Sequence, residues 1–339
     1  MDKKVHGVGT YVVSILNGMA QGLFASLIIG LIIKQIGHYS GIVALERFGQ
    51  IAQYLTGPAI GVGVACSLKA PNLAIFSSAA AGAIGAGTFV FGAEAIGLTL
   101  GEPLGACIAA IAGALAGKFI AGKTKVDILL VPTFTIVAGG LVGLFVSPIV
   151  SAMMRALGAF INQLTTLYPF PMGVLVSTVV GMVLTLPISS AAICISLGLD
   201  GLAAGAACVG CATQMIGFAA ASYRENKVGG LISQGLGTSM LQIPNIWKNW
   251  KIWIPATLAS AIIGPISTCV FKMTNNAAGA GMGTSGLVGQ FNAIAVMGPG
   301  CIWQIVLVHF ILPALISLLI SEFMRKKGWI KDGDMLLEV

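Results

Sequence analysis

Charge is what this sequence has least of. Only 9% of its 339 residues are Asp, Glu, Lys or Arg, and just 11 are acidic, where soluble domains carry about a quarter charged residues. With 57% hydrophobic residues, that scarcity excludes a soluble enzyme holding one buried helix and puts the chain in the membrane class. A paired disulfide framework is missing too: the seven cysteines are odd in number and sit mostly inside or at the ends of apolar segments. Free thiols packing as small residues fit that placement. A cleavable leader is not expected, because Met1-Asp2-Lys3-Lys4 opens into an apolar run to Ile33, too long for a signal h-region. The net charge of +7 is no sign of nucleic acid, since the basic residues gather at segment ends as topology signals do.

What is present is a series of long apolar runs. A spanning helix needs about 20 such residues, and the sequence predicts about ten spans near 9–33, 43–66, 72–93, 103–121, 128–150, 171–196, 200–221, 229–247, 252–272 and 301–324. The run at 229–247 also reads as a re-entrant hairpin. Lys3 and Lys4 precede the first span, Lys118, Lys123 and Lys125 follow the fourth, and Arg325, Lys326 and Lys327 follow the last. These place both ends of the chain and the 118–125 connection in the cytoplasm; Arg224 and Lys227 then fall outside, against the rule.

The expected fold is an all-α polytopic membrane protein of about ten transmembrane helices with broken or re-entrant Gly-rich segments, forming one integral membrane domain over 1–339. A 5+5 inverted repeat, with halves 1–165 and 166–330, suits an N-in start. Its trace in the sequence is Val13-Ser14-x-x-x-Gly18-Met19 with Ser26, echoed by Val176-Ser177-x-x-x-Gly181-Met182 with Ser189. The 46 glycines recur at spacings such as Gly18-xxx-Gly22 and Gly113-xxx-Gly117 that let membrane helices approach closely.

One stretch fits neither a helix nor a solvated loop. Asn275-Asn276-Ala-Ala-Gly-Ala-Gly-Met-Gly283-Thr284-Ser285-Gly-Leu-Val-Gly-Gln290 is too glycine-rich to span and too apolar to be hydrated. Irregular backbone survives at membrane depth only inside protein or along a cavity, and broken segments of this kind cradle solutes in transporters. Close backbone approach to a ligand is the expected role of Gly283. A second polar cluster begins at Tyr223-Arg224-Glu225-Asn226-Lys227 and runs into Gln234, Thr238, Ser239, Gln242 and Asn245. Gln234, Thr238 and Gln242 are four apart and would share a helix face. Such a stripe suits a neutral polyhydroxylated ligand, and equally suits hydrogen bonds between helices.

Other signals have plainer readings. Gly281-x-Gly283-x-x-Gly286 spells the dinucleotide pattern but lacks a βαβ unit and a following acidic residue. Cys208-x-x-Cys211 lies in an apolar run without a second ligand pair. No metal or cofactor is expected. Glu46 and Arg47 read as an interfacial pair. Ionisable groups at depth are costly and therefore informative: His309 caps a backbone carbonyl, or else binds solute or carries a proton, and Glu94 ends a Gly/Ala-rich helix beside either a cavity or solvent.

Arg224-Glu-Asn-Lys-Val-Gly-Gly230, Gln234-Gly-Leu-Gly-Thr-Ser-Met-Leu-Gln-Ile-Pro-Asn245, Gly281-Met-Gly-Thr-Ser-Gly-Leu-Val-Gly289 and Gly122-Lys-Thr-Lys-Val-Asp127 before Pro132 carry a resemblance across essentially the whole chain. It resembles the enzyme IIC-like membrane proteins grouped with the sugar permeases of the bacterial phosphotransferase system, a family that includes proteins named perfringolysin O regulators. The resemblance implies a homodimer in the bacterial inner (plasma) membrane that passes a sugar or related solute, with separate IIA and IIB proteins phosphorylating it. The sequence itself shows no IIA- or IIB-like domain and no catalytic residue. The expected solute site joins Gln234, Thr238, Ser239, Gln242, Asn275, Asn276, Gly283, Thr284 and Ser285, with Glu225, His309 and Glu94 near it. The alternatives are a membrane sensor-regulator that binds without transport, and an ion- or proton-coupled carrier.

Overall fold

A computed structural model describes residues 8–92 and 96–337. The chain forms two compact units that divide between Ala152 and Met153. Among the described residues, six helical stretches are long and apolar enough to cross a membrane, joined by four shorter apolar helices.

In the first unit, α1 (Val8–Leu23) passes through a π turn at Phe24–Ile28 into α2 (Ile29–Ser40). The span expected at 43–66 is instead split at Leu55 into α3 (Val43–Tyr54) and α4 (Thr56–Ser67). Pro58 explains the break: a proline without N–H is tolerated in the first turn of a helix but not in its interior. Next, α5 (Asn72–Ala86) stops at Gly87, whose φ is +68°. There the N–H groups of Gly87 and Thr88 return to the carbonyls of Ile84 and Ala83, the usual left-handed helix stop. Among the described residues the fold is all-α apart from one short strand pair. Beyond that stop β1 (Phe89–Phe91) pairs antiparallel with β2 (Ile96–Leu98), and the aromatic and β-branched Phe89, Val90, Phe91 and Ile96 favour the extended backbone. The unit continues with α6 (Pro103–Ile120), and α7 (Asp127–Thr165), with Pro132 and Pro148 inside it, carries the chain over the division. Glycine sets the helix crossings: Gly18 of α1 lies on Gly63 of α4, Gly61 on Ser78 of α5, and Gly85 on Gly105 of α6. Outward-facing Phe76, Phe119, Leu144 and Phe145 remain exposed, as a lipid-facing surface requires.

The second unit is built around α10 (Gly201–Ala221), which is buried on nearly every side because its residues are mostly Gly, Ala and Cys. Before it come α8 (Pro169–Thr185) and α9 (Ser190–Ser196). The expected span 171–196 is broken between them, where Leu186 before Pro187 is extended (ψ 159°), as pre-proline residues prefer. After α10 follow α11 (Tyr223–Ile232), interrupted at Lys227 (φ 52°, ψ −149°), a π turn at Ser233–Gly237, a 3₁₀ turn at Ser239–Gln242, and α12 (Ile243–Lys248). The run at 229–247 is thus a chain of short pieces, not a span. Then come α13 (Ile254–Pro265), α14 (Ala277–Ala280), α15 (Val288–Met297), α16 (Ile302–Ile305), a π turn at Val306–Ile311, and α17 (Leu312–Lys326). All seven cysteines are free, as expected.

Helices α8, α13 and α17 pack on α10. Gly210 of α10 meets Ser177 of α8 so closely that a Cβ would strike the Ser177 backbone. Gly210→Leu should therefore force α8 and α10 apart and destabilise the unit by at least about 1–3 kcal/mol. A lower melting temperature in detergent is the expected result, and a wild-type melt would show that the crossing is loose.

Candidate functional site

The two irregular stretches of the second unit lie against each other. In the first, the helix widens into the π turn that holds Gly235 and Gly237, and Thr238 leaves it altogether (φ −162°, ψ 144°). The Thr238 hydroxyl accepts the Met240 N–H and caps the following turn. Gln234, Thr238 and Gln242 therefore do not share a helix face, because the helix ends between them. The reversal instead brings Gln234 and Gln242 together, with the Gln242 amide donating to Gln234 Oε1 at 2.8 Å.

The partners of these amides lie within the protein. Gln234 Nε2 donates to Ser222 Oγ and to the Gly230 carbonyl. Gln242 Nε2 also donates to the Met335 carbonyl, and Asn245 donates to Gln242 Oε1 and to the Leu336 carbonyl. Asn226 grips the same tail, donating to the Met335 carbonyl and accepting from Leu337 N–H. Both amide hydrogens of Gln234, Gln242 and Asn245 are engaged in this ladder. Ser239 pairs with Thr185 of α8 at 2.8 Å, and Thr185 also donates to Gln214. The Gln214 carbonyl accepts from Trp253 as well, and its amide donates to Thr257.

The Gly-rich stretch is pinned on three sides. At its start, Asn275 N–H donates to the Gly201 carbonyl, and its side-chain amide donates to the Gly289 carbonyl at 3.0 Å. Asn276 caps α14 by accepting Gly279 N–H, and its amide donates to Asn292. Further on, Ser190 of α9 donates to the Gly281 carbonyl. Thr284 and Ser285 reach the other irregular stretch, donating to the carbonyls of Gly235 and Gly237. Gly283 (φ +53°) and Gly286 (φ +52°) supply left-handed turns, and Leu287 (φ +59°) adopts one without being glycine. A non-glycine residue held there costs on the order of 1–3 kcal/mol, strain that clusters at functional sites. The close approach expected of Gly283 is to the protein itself: a Cβ would lie 2.6 Å from the Cys211 carbonyl carbon and 2.7 Å from Ala212 N.

The sequence profile of the phosphotransferase system EIIC family matches residues 13–337. The chain belongs to that family. No curated protein and no solved structure matches it. As an EIIC protein it is a multi-pass membrane protein and the membrane transport component of a phosphotransferase system, which implies a sugar-like solute and cooperation with IIA and IIB components.

The ionisable groups of this EIIC chain are distributed unevenly about the two stretches. His309 does not cap a carbonyl: its Nδ1 sits 2.8 Å from Gln290 Nε2, and both residues are buried. Glu225 is bound to Arg325 of α17 at 2.7 Å, each side chain 7% exposed. That pair joins Arg224–Glu322 and Arg325–Asp332 in a charge cluster at one end of α17. Glu46 faces His38 at 3.8 Å. Glu94 lies outside the described residues. Sequence reasoning assigned no role to Gln290, which it named only as the end of the Gly-rich stretch, and passed over Asn292, Gln214 and Thr185; each is a polar side chain in a mostly apolar run, and that setting was the available signal.

Proposed function

We propose that this EIIC protein is a permease that moves a sugar or related small polar solute by alternating access around the two irregular stretches 233–243 and 275–290. The observation that carries this reading is the pair of hydrogen bonds from Thr284 and Ser285 to Gly235 and Gly237. They join two lengths of irregular backbone, a π and 3₁₀ stretch broken at Thr238 and the Gly-rich stretch, inside a helical membrane unit, the kind of arrangement from which transporters build solute sites. Asn275, Asn276, Thr284 and Ser285 line that junction, while Gln234, Thr238, Ser239, Gln242 and Asn245 form the frame behind it. The chain works as a homodimer in the bacterial plasma membrane, and separate IIA and IIB proteins phosphorylate the solute as it leaves.

Uptake into proteoliposomes holding the purified protein, over a panel of labelled sugars, tests the reading. One sugar should enter faster than into empty vesicles, and faster still with its IIA and IIB partners and a phosphoryl donor inside. Binding without entry would instead make the protein a sensor. Entry driven by a pH gradient alone would make it a proton-coupled carrier.

The cytoplasmic side follows from Lys118, Lys123 and Lys125. A cysteine at Lys123, in a background lacking exposed Cys66 and Cys269, should resist a membrane-impermeant thiol reagent in intact cells and react after permeabilisation. Labelling in intact cells would invert the topology.

A further inference from the structure

The ion pairs Arg224–Glu322 and Glu225–Arg325 tie the start of α11 to the last turns of α17. Arg224 and Lys227 therefore stand at the same end of the second unit as Lys326 and Lys327, and the expected exception to the positive-inside rule disappears. Loss of the span at 229–247 agrees with this. It leaves two long apolar stretches, Trp250–Val270 and Pro299–Lys326, between Lys227 and the tail, an even number of crossings. With the C-terminus cytoplasmic, this end lies at the cytoplasmic leaflet. Tyr223 and Trp329, both exposed there, suit the headgroup level.

At that level a groove of about 500 Å³ runs between α10, α11 and α17, lined by Ala220, Tyr223, Arg224, Leu231, Leu318 and Glu322. Ala220, Leu231 and Leu318 form its apolar wall. On α17, Leu318, Glu322 and Lys326 are four residues apart, so one helix face passes from apolar wall to carboxylate to ammonium. Glu322 engages only one nitrogen of Arg224. The rest of that guanidinium, a planar fork of donors suited to phosphate, makes no bond among the described residues. Lys227 and Lys326 make no ion pair among them either. The rim of an apolar slot thus carries an excess of positive charge. A soluble phosphate would leave the apolar wall uncovered, and a zwitterionic headgroup would leave the lysines unmatched.

We infer that this groove binds an anionic phospholipid of the cytoplasmic leaflet, with the phosphate on Arg224 and Lys326 and one acyl chain along Ala220, Leu231 and Leu318. The site lies apart from the two irregular stretches, and it does not rest on the permease reading.

The test uses the full chain in detergent micelles. Native mass spectrometry compares the binding of phosphatidylglycerol, phosphatidylcholine and phosphatidylethanolamine with identical acyl chains. Phosphatidylglycerol should bind most tightly. A basic residue at an anionic surface is worth about a fivefold change in affinity. Arg224→Gln and Lys326→Gln should each weaken phosphatidylglycerol binding by about that factor, and Lys125→Gln, in another connection, should leave it unchanged. Glu322→Gln, which frees Arg224, should strengthen it; a merely structural ion pair would make the Arg224 and Glu322 variants fall together. Phosphatidylglycerol with a photoactivatable acyl chain should label α11 and α17. Equal binding of the three lipids, a preference unchanged in both basic-residue variants, or labelling confined to other helices would overturn the inference. So would tightest binding of phosphatidylethanolamine, or glycerol 1-phosphate competing as well as the whole lipid. Cross-linking of two copies through Leu318→Cys would give the groove to a second subunit and overturn it too. Uptake is not read in any arm, so the permease reading is untouched by each of these outcomes.

Discussion

Gly283→Val is expected to yield a protein that no longer packs its second unit. Two costs combine at this position. A β-branched residue at φ +53° pays about 1–2 kcal/mol for the left-handed backbone. Its Cβ would also lie 2.6 Å from Cys211 and 2.7 Å from Ala212, both backbone positions in the most enclosed helix of the unit, so no side chain can swing aside to make room. The result should be aggregation in size-exclusion chromatography, or a melt well below that of the wild type. Gly283→Ala shares the contact without the branching and should be milder in degree. Gly298→Ala is the control for backbone strain without a clash, because Gly298 (φ +83°, ψ 168°) has nothing near its missing Cβ; a side chain in that glycine-only region should cost about 1–3 kcal/mol. A Val variant as stable as Gly298→Ala would show that the stretch stands away from α10.

The second large effect is expected at Arg325. Arg325→Met strands the Glu225 carboxylate in a setting only 7% exposed and takes a donor from the Ala221 carbonyl. Breaking a buried ion pair from one side typically costs about 3–5 kcal/mol, whereas replacing both partners is often near neutral. Arg325→Met should therefore be much less stable than the double variant Glu225→Gln/Arg325→Met. Arg224→Ala, which breaks a pair whose arginine is 63% exposed, should cost no more than about 1 kcal/mol. Thermal melts of the three decide it. If Glu225→Gln alone abolished sugar binding with stability unchanged, Glu225 would be a solute ligand and the ion-pair account would fail.

How much of this was visible in the chain depends on the range of the interaction. Apolar length gave away α6, α10 and α17, because a long apolar helix is legible from composition alone, whether lipid or, for α10, other helices cover it. It misread 43–66 and 171–196, where the averaged hydrophobicity hid Pro58 and Pro187, whose backbone geometry ends a helix whatever surrounds it. The irregularity of 275–290 was legible, since glycine density is local. Its purpose was not: whether Gly283 approaches a ligand or a helix depends on α10, some 70 residues earlier in the sequence (Cys211 and Ala212). The spacing of Gln234, Thr238 and Gln242 suggested one face only on the assumption of continuous helix, which Thr238 breaks. Pairings such as Glu225–Arg325 and Gln290–His309 join residues 100 and 19 positions apart, and no periodic pattern encodes them.

The amide ladder also bears on how the protein is made. Gln242 waits for a carbonyl that lies 93 residues further along the chain. At ribosomal speeds of about 5–20 residues per second, roughly 5–20 seconds separate the synthesis of the donor from that of its acceptor. During that interval Asn226, Gln242 and Asn245 have hydrogens to place and no tail to receive them, so water or the insertion machinery must serve in its stead. Assembly of this unit is consequently ordered in time, with the helices threaded first and the polar seam closed last.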